Sequence, residues 1–284
     1  MAKIIDGKAV SAAVKGQVKE ETARLKEQGI VPGLAVVIVG DDPASRVYVN
    51  NKKKACELVG FHSEEYALGA ETTQEELMAL VEKLNKDDSI NGILVQLPLP
   101  KHLDDKAVIA AIDPKKDVDA FHAENVGKIM IGDYKFLPCT PAGVMELLTS
   151  ENIEIEGKSC VVIGRSNIVG KPMAMLLLHK NGTVTITHSR TKNLKEICLG
   201  ADIIVAAVGI PKFLKGDMVK DGAVVIDVGM DRDENGKLCG DVDFDEVEKK
   251  AGYITPVPGG VGPMTIAMLM KNTLMAAKIA HGLG

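Results

Sequence analysis

Two spacings of apolar residues alternate along this chain. DGKAVSAAVKGQVKEETARLKEQG repeats apolar positions at helical spacing between Asp6 and Gly29, and predicts a capped amphipathic helix. GLAVVIVG is short and wholly apolar, as a strand buried on both faces must be, and DDPAS after it reads as a turn. SRVYVNNKKKACELVG and TQEELMALVEKLNKD return to helical spacing, and INGILVQLPLP predicts a strand ending in prolines. A second cycle follows PCTPAGVMELLTSENIEIEGK, with strands predicted at SCVVIG, TVTITH, ADIIVAAVG, AVVIDVG and YITPVPG and helices between several of them. Alternation of this kind predicts an α/β protein with parallel sheets, the second cycle being a doubly wound, Rossmann-like unit. GPMTIAMLMKNTLMAAKIA closes the chain as a packed helix, with Met268, Met270 and Met275 as core filler rather than ligands. No internal repeat or low-complexity tract interrupts the pattern.

Composition narrows the partners. A length of 284 residues allows one large or two ordinary domains with real cores. A net charge of −5, with no Trp and few Phe or Tyr, argues against nucleic acid, which needs clustered cations and stacking faces. Cys56, Cys139, Cys160, Cys198 and Cys239 are scattered and odd in number, which fits free thiols in a reducing cytoplasm better than disulfides or a zinc site. His62, His102, His122, His179 and His281 share no ligand spacing, so no metal is expected. MAKIIDGKAV has no signal-peptide core, and no stretch is long and apolar enough for a membrane partner.

The stretch VVIGRSNIVGKP, Val161–Pro172, runs from a strand through Gly164 toward Gly170 and Pro172. The dinucleotide fingerprint is G-x-G-x-x-G, and here Ser166 stands at the middle glycine. Two readings stand at this point, an ordinary strand-turn-helix and a phosphate-cradling turn whose helix offers free N–H groups. The next strand favours the second. TVTITHSRT ends in His188, Ser189 and Arg190, where an NAD site carries a carboxylate for the ribose hydroxyls. A hydroxyl and cations suit a 2′-phosphate, and Arg165 adds a guanidinium at the same corner, so the site reads as built for NADP. His188 either contacts that phosphate or merely ends the strand.

In the first half, Tyr48 and Lys52 lie four apart on one helical face, against the alternative of a solvated NKKK run. Gln96 ends an apolar strand, where open α/β sheets place ligands. Asp117 and Asp119 fall in a loop, where turn chemistry is the plain alternative. Together, SRVYVNNKKKACELVG, GILVQLPLP, DVDAFHAENVGK, PCTPAGVMELL, GRSNIVGKP, HSRT and TPVPGGVGPMT occur in an order that closely resembles the methylenetetrahydrofolate dehydrogenase/methenyltetrahydrofolate cyclohydrolase family, across essentially the whole chain.

That resemblance implies a bifunctional enzyme of one-carbon metabolism and purine biosynthesis. It would oxidise 5,10-methylenetetrahydrofolate to the 5,10-methenyl cation with NADP, then hydrolyse that cation to 10-formyltetrahydrofolate. The resemblance makes Lys52 the central catalytic residue, hydrogen-bonded and tuned by Gln96, with Tyr48 packed beside the folate and Asp119 anchoring the pterin. Leu97, Pro256, Pro258, Gly259 and Gly260 would border the substrate. Gly164, Arg165, Ser166, Val169, Gly170, His188, Ser189, Arg190, Val208, Gly209 and Met230 would bind the cofactor. It also implies a folate-binding catalytic domain at 1–139 completed by a C-terminal helix at 265–284, a Rossmann-like NADP-binding domain at 140–264, a site in the cleft between them, and a homodimer. A dehydrogenase with little cyclohydrolase activity, or a non-catalytic nucleotide-binding regulator, are the alternatives.

Overall fold

The computed structural model describes residues 1–283. Its chain contacts divide into two units, Met1–Ser11 with Thr140–Thr265, and Ala12–Cys139 with the residues from Ile266 onward. The chain opens with β1 (Lys3–Ile4) and α1 (Gly7–Glu27). Asp6 Oδ1 starts that helix by accepting the N–H groups of Lys8 and Ala9 at 3.0 and 3.1 Å.

The Ala12–Cys139 unit continues with β2 (Gly33–Val39), α2 (Pro43–Val59), β3 (His62–Leu68), α3 (Gln74–Asn85), β4 (Gly92–Val95), α4 (Asp105–Ala111) and α5 (Ala123–Ile131). Its sheet is three-stranded and parallel, ordered β3-β2-β4. Every residue of β2 and β4 is buried, as their unbroken apolar sequence requires of central strands. On one face Ala35, Val37 and Val39 pack with Leu77, Val81, Leu84 and Val108 from α3 and α4. One expectation is corrected here, and one strand that the sequence pattern did not predict is added. DDPAS is not all turn: Asp42 is the N-cap of α2, accepting the Ser45 N–H at 2.8 Å, and Pro43 begins the helix, where a missing N–H costs nothing. HSEEYAL, which carries no apolar run, is nevertheless a strand, because the β2 backbone pairs with it along its whole length.

The other unit holds α6 (Cys139–Ser150), β5 (Ser159–Ile163), α7 (Gly170–His179), β6 (Thr183–Thr187), α8 (Leu194–Leu199), β7 (Ile203–Ala206), β8 (Val224–Asp227), the β9 (Asp231–Arg232) and β10 (Leu238–Cys239) hairpin, α9 (Phe244–Val247) and β11 (Tyr253–Ile254). A final helix, α10 (Val261–Ala280), closes the chain. The sheet is six-stranded and parallel, ordered β1-β11-β8-β7-β5-β6, a doubly wound arrangement. Its edge is completed by β1, which pairs with β11, so Met1–Ser11 groups with 140–265 and not with the residues that follow it. The division therefore falls inside α1 and inside α10. Met268 and Met270 on α10 are buried, as core filler.

Candidate active site and cofactor turn

Lys52 lies on α2, one turn beyond Tyr48, and is only 8% exposed. A solvated lysine run is thereby excluded for this member of NKKK. Its Nζ donates to Gln96 Oε1 at 2.8 Å. Gln96 follows β4, whose end is set by the Gln96 N–H donating to the Val37 carbonyl at 2.8 Å. The other end of the Gln96 amide donates to the Leu97 carbonyl at 2.7 Å, so the oxygen is the end that faces the amine. Burial lowers the Lys52 pKa, against the opposing fields of Asp119 and Cys139. Burial also raises the phenol of Tyr48.

Asp119 arrives on the loop between α4 and α5, which docks beside β4 through the Ile93 N–H to the Lys116 carbonyl at 2.8 Å. Burial pushes its carboxyl above the usual carboxylate range, while Lys52 pulls it back. Asp117 has a different task. Its Oδ2 accepts the His122 N–H and the Asn125 amide, each at 2.8 Å, which ties the loop to the start of α5. Turn chemistry is the right description of Asp117 and not of Asp119.

Two residues escaped the sequence reading. Asn272 on α10 donates to the carbonyls of Val118 and Leu137, both at 2.8 Å, and lies 3.7 Å from Cys139 Sγ. The Cys139 thiol packs against the Val118 carbonyl at 3.5 Å and the Asp119 carboxyl, and its pKa is pushed well up by burial. The available signal was one Asn in the apolar run MLMKNTLMAAK, since a buried amide needs partners.

The cofactor turn belongs to the other unit. Gly164 has φ 126°, and a Cβ there would stand 2.1 Å from the Ala207 carbonyl oxygen. A Cβ on Gly170 would stand 2.3 Å from the Gly164 oxygen, so both glycines are obligatory. Ser166 explains the missing third. Its Oγ accepts the N–H groups of Val169 and Gly170 at 3.1 and 3.2 Å, and its carbonyl takes that of Lys171 at 3.0 Å. The expectation of free N–H groups at this helix is corrected: the serine occupies two of them. The guanidiniums of Arg165 and Arg190 and the hydroxyl of Ser189, the latter two just beyond β6, are exposed. No carboxylate ends β6, so the donor set fits NADP. His188 ends the strand with its Nδ1 accepting the Arg190 N–H at 3.2 Å and its own N–H donating to Thr191 Oγ1 at 2.8 Å. Val208 and Gly209 follow β7, the latter at φ 67°, and Met230 follows β8 and is exposed.

Pro256, Pro258, Gly259 and Gly260 also lie in this unit, at the start of α10. A Cβ on Gly260 would stand 2.6 Å from the Pro256 oxygen, which fixes the tight backbone of PVPGG. Among the described residues, no cluster of His, Cys, Asp or Glu is arranged to hold a metal ion, and no helix is long and apolar enough to cross a membrane.

Two family models match the chain. The tetrahydrofolate dehydrogenase/cyclohydrolase catalytic domain covers residues 5–119, and the NAD(P)-binding domain of the same family covers 138–281. A bifunctional protein FolD of Acetivibrio thermocellus is 66% identical over 98% of both chains. The crystal structure of the Campylobacter jejuni bifunctional FolD, a methylenetetrahydrofolate dehydrogenase/cyclohydrolase, superposes with a TM-score of 0.96 at 53% identity, over 98% of this chain and 99% of that one. The Trypanosoma brucei enzyme, solved with NADP cofactor and an inhibitor, gives 0.95 at 43% identity over 99% and 98%.

Proposed function

Because this chain belongs to the tetrahydrofolate dehydrogenase/cyclohydrolase family, we propose that it oxidises 5,10-methylenetetrahydrofolate with NADP and hydrolyses the product, with Lys52 moving the protons of the second step. NADP, when bound, supplies the hydride acceptor. The chain's own task in that step is to hold the folate, and Tyr48, Leu97, Asp119, Pro256, Pro258, Gly259 and Gly260 are the residues proposed to do so. Asp119 offers acceptors for the donor edge of a pterin.

Hydrolysis asks more. Water attacks the methenyl carbon and loses a proton. The carbon–N5 bond then breaks as N5 takes a proton and the hydroxyl of the adduct releases its own proton to solvent, which leaves the formyl group on N10. A neutral Lys52 amine accepts the first proton and returns one to N5. The observation that carries this reading is the 2.8 Å pair of buried Lys52 with half-buried Gln96. Gln96 accepts one N–H and adds no charge, so the amine stays orientated while burial keeps its pKa down. A dehydrogenase lacking hydrolase activity needs no such pair.

The deciding experiment incubates purified protein with 5,10-methylenetetrahydrofolate and either NADP or NAD, and follows methenyl- and 10-formyltetrahydrofolate against an enzyme-free control. NADP-preferring oxidation with accelerated formyl formation is expected. Methenyl product that decays at the spontaneous rate would remove the cyclohydrolase.

We further infer a cytoplasmic homodimer joined through the nucleotide-binding unit. Four of the five unpaired cysteines are buried, which suits a reducing compartment. β6 is the sheet's outer strand, and Ile186 on it and Leu178 on the adjoining α7 are exposed. Light scattering should give the mass of two chains; a single-chain mass at micromolar concentration rules the dimer out.

A further inference from the structure

Three carboxylates, Asp227, Asp231 and Asp241, lie behind the Val208–Ile210 turn and have no part in the chemistry above. Asp241 is fully buried. Both of its oxygens are engaged by the turn: Oδ2 accepts the Val208 N–H at 2.6 Å and Oδ1 accepts the Ile210 N–H at 2.9 Å. Those two amides flank Gly209, where a Cβ would meet nothing within 4 Å. Packing therefore does not fix the turn at its tip, and the carboxylate holds it from behind.

Asp241 is itself held in place. Its N–H donates to Asp227 Oδ1 at 2.9 Å, and Asp227 also accepts the N–H groups of Gly229 and Val242 at 2.9 and 3.0 Å. The approach leaves no room for side chains. A Cβ on Gly229 would stand 2.4 Å from the Asp241 nitrogen, and one on Gly240 would stand 2.0 Å from Asp227 Oδ2. Asp231, on β9, completes the arrangement. Its Oδ2 is buried without a hydrogen-bond partner among the described residues, and burial and the neighbouring Asp241 carboxyl raise the Asp231 carboxyl above the usual carboxylate range.

We propose that Asp241 is a positioning residue for the dehydrogenase step: its carboxylate fixes the Val208–Ile210 turn in the form that receives the nicotinamide cofactor. The proposal rests on the reading that Val208 and Gly209 contact that cofactor.

The test uses the whole protein and measures NADP binding by calorimetry, alongside the two reactions assayed separately. In Asp241→Asn one of the two turn amides faces an NH2 group and loses its acceptor. The NADP Kd and KM should then rise about tenfold, equivalent to about 1.4 kcal/mol. Hydrolysis of added methenyltetrahydrofolate, which needs no hydride acceptor, should change less than about twofold. A parallel fall in both activities would mark a merely structural residue and overturn the proposal. Asp231 supplies an independent pair of variants: Asp231→Leu removes the polar group beside Asp241 and should weaken NADP, and Asp231→Asn keeps one and should recover most of the affinity. Equal behaviour of the two overturns the role given to Asp231, and decides the matter should Asp241→Asn not fold. Gly209→Ala separates the premise from the proposal, because a side chain at φ 67° strains the turn directly. If Gly209→Ala weakens NADP and Asp241→Asn does not, positioning by Asp241 is wrong. If neither does, the turn is not part of the cofactor site and both readings fall.

Discussion

At the scale of single residues, the chemistry depends on which protonation state Lys52 keeps. The amine is buried and points one N–H at an amide oxygen. Lys52→Met should therefore lower the cyclohydrolase rate by about 10²–10⁴-fold, the usual worth of a positioned proton carrier, while the NADP Kd changes less than about twofold. Retained hydrolysis in that variant would remove Lys52 from the mechanism. The pH profile carries a second expectation. Because the proposed hydrolysis uses the neutral amine and burial lowers its pKa, the rate should rise with pH to a plateau whose midpoint lies below the ordinary lysine value. Gln96→Glu puts an anion where Gln96 Oε1 now accepts. An anion favours the ammonium, so the midpoint should move to higher pH; a midpoint that stays or moves down would separate Gln96 from Lys52.

At the scale of elements, β8 ends on a buried acid whose behaviour is testable through stability. Burial pushes Asp227 up to about 7, against the N–H donors of Val242, Asp241 and Gly229. In the unfolded chain an aspartate titrates near 3.9, so between about pH 4 and pH 7 the folded protein binds the extra proton. Stability attributable to this group is therefore present at low pH and is lost as pH rises through that window. Asp227→Asn cannot titrate, and also loses an acceptor. Its melting temperature should lie below that of the parent, by a gap that narrows from pH 5 to pH 8; a widening gap would refute the assignment. The strands themselves divide by legibility. GLAVVIVG announces β2 because a central parallel strand is apolar on both faces. HSEEYAL does not announce β3, because an edge strand has only Tyr66 and Leu68 packed against the core and its pairing with the β2 backbone tolerates polar residues such as Glu65. Ser166 was legible as a departure from the glycine fingerprint, but its hydrogen bonds to Val169 and Gly170 were not, since they depend on how the turn closes.

At the scale of the molecule, cofactor binding should be read as added stability. A ligand that binds only the folded chain raises the unfolding free energy by about 2.7 kcal/mol at a hundred times its Kd. NADP should therefore raise the melting temperature more than equal NAD. In Arg165→Ala, about tenfold more NADP should be needed for the same shift, with the NAD response unchanged, since one exposed charge-assisted contact is lost. An unaltered NADP response would remove Arg165 from the 2′-phosphate site. The two units also show why chain order misleads about grouping. Met1–Ser11 precedes the first unit in sequence but joins the six-stranded sheet through β1, a two-residue strand too short to carry a pattern.

The sequence by itself determined the α/β alternation, the long helices, the family and the residue types available for chemistry. These are properties of local spacing and of motifs a few residues long. Tertiary structure alone decided which end of Gln96 meets Lys52, that Asn272 from the last helix braces the loop bearing Asp119, and that Asp241 holds the Val208–Ile210 turn. Each of these joins residues from 31 to 154 positions apart. Hydrogen bonds of that reach are set by how sheets and helices close around one another, and no periodicity along the chain encodes them.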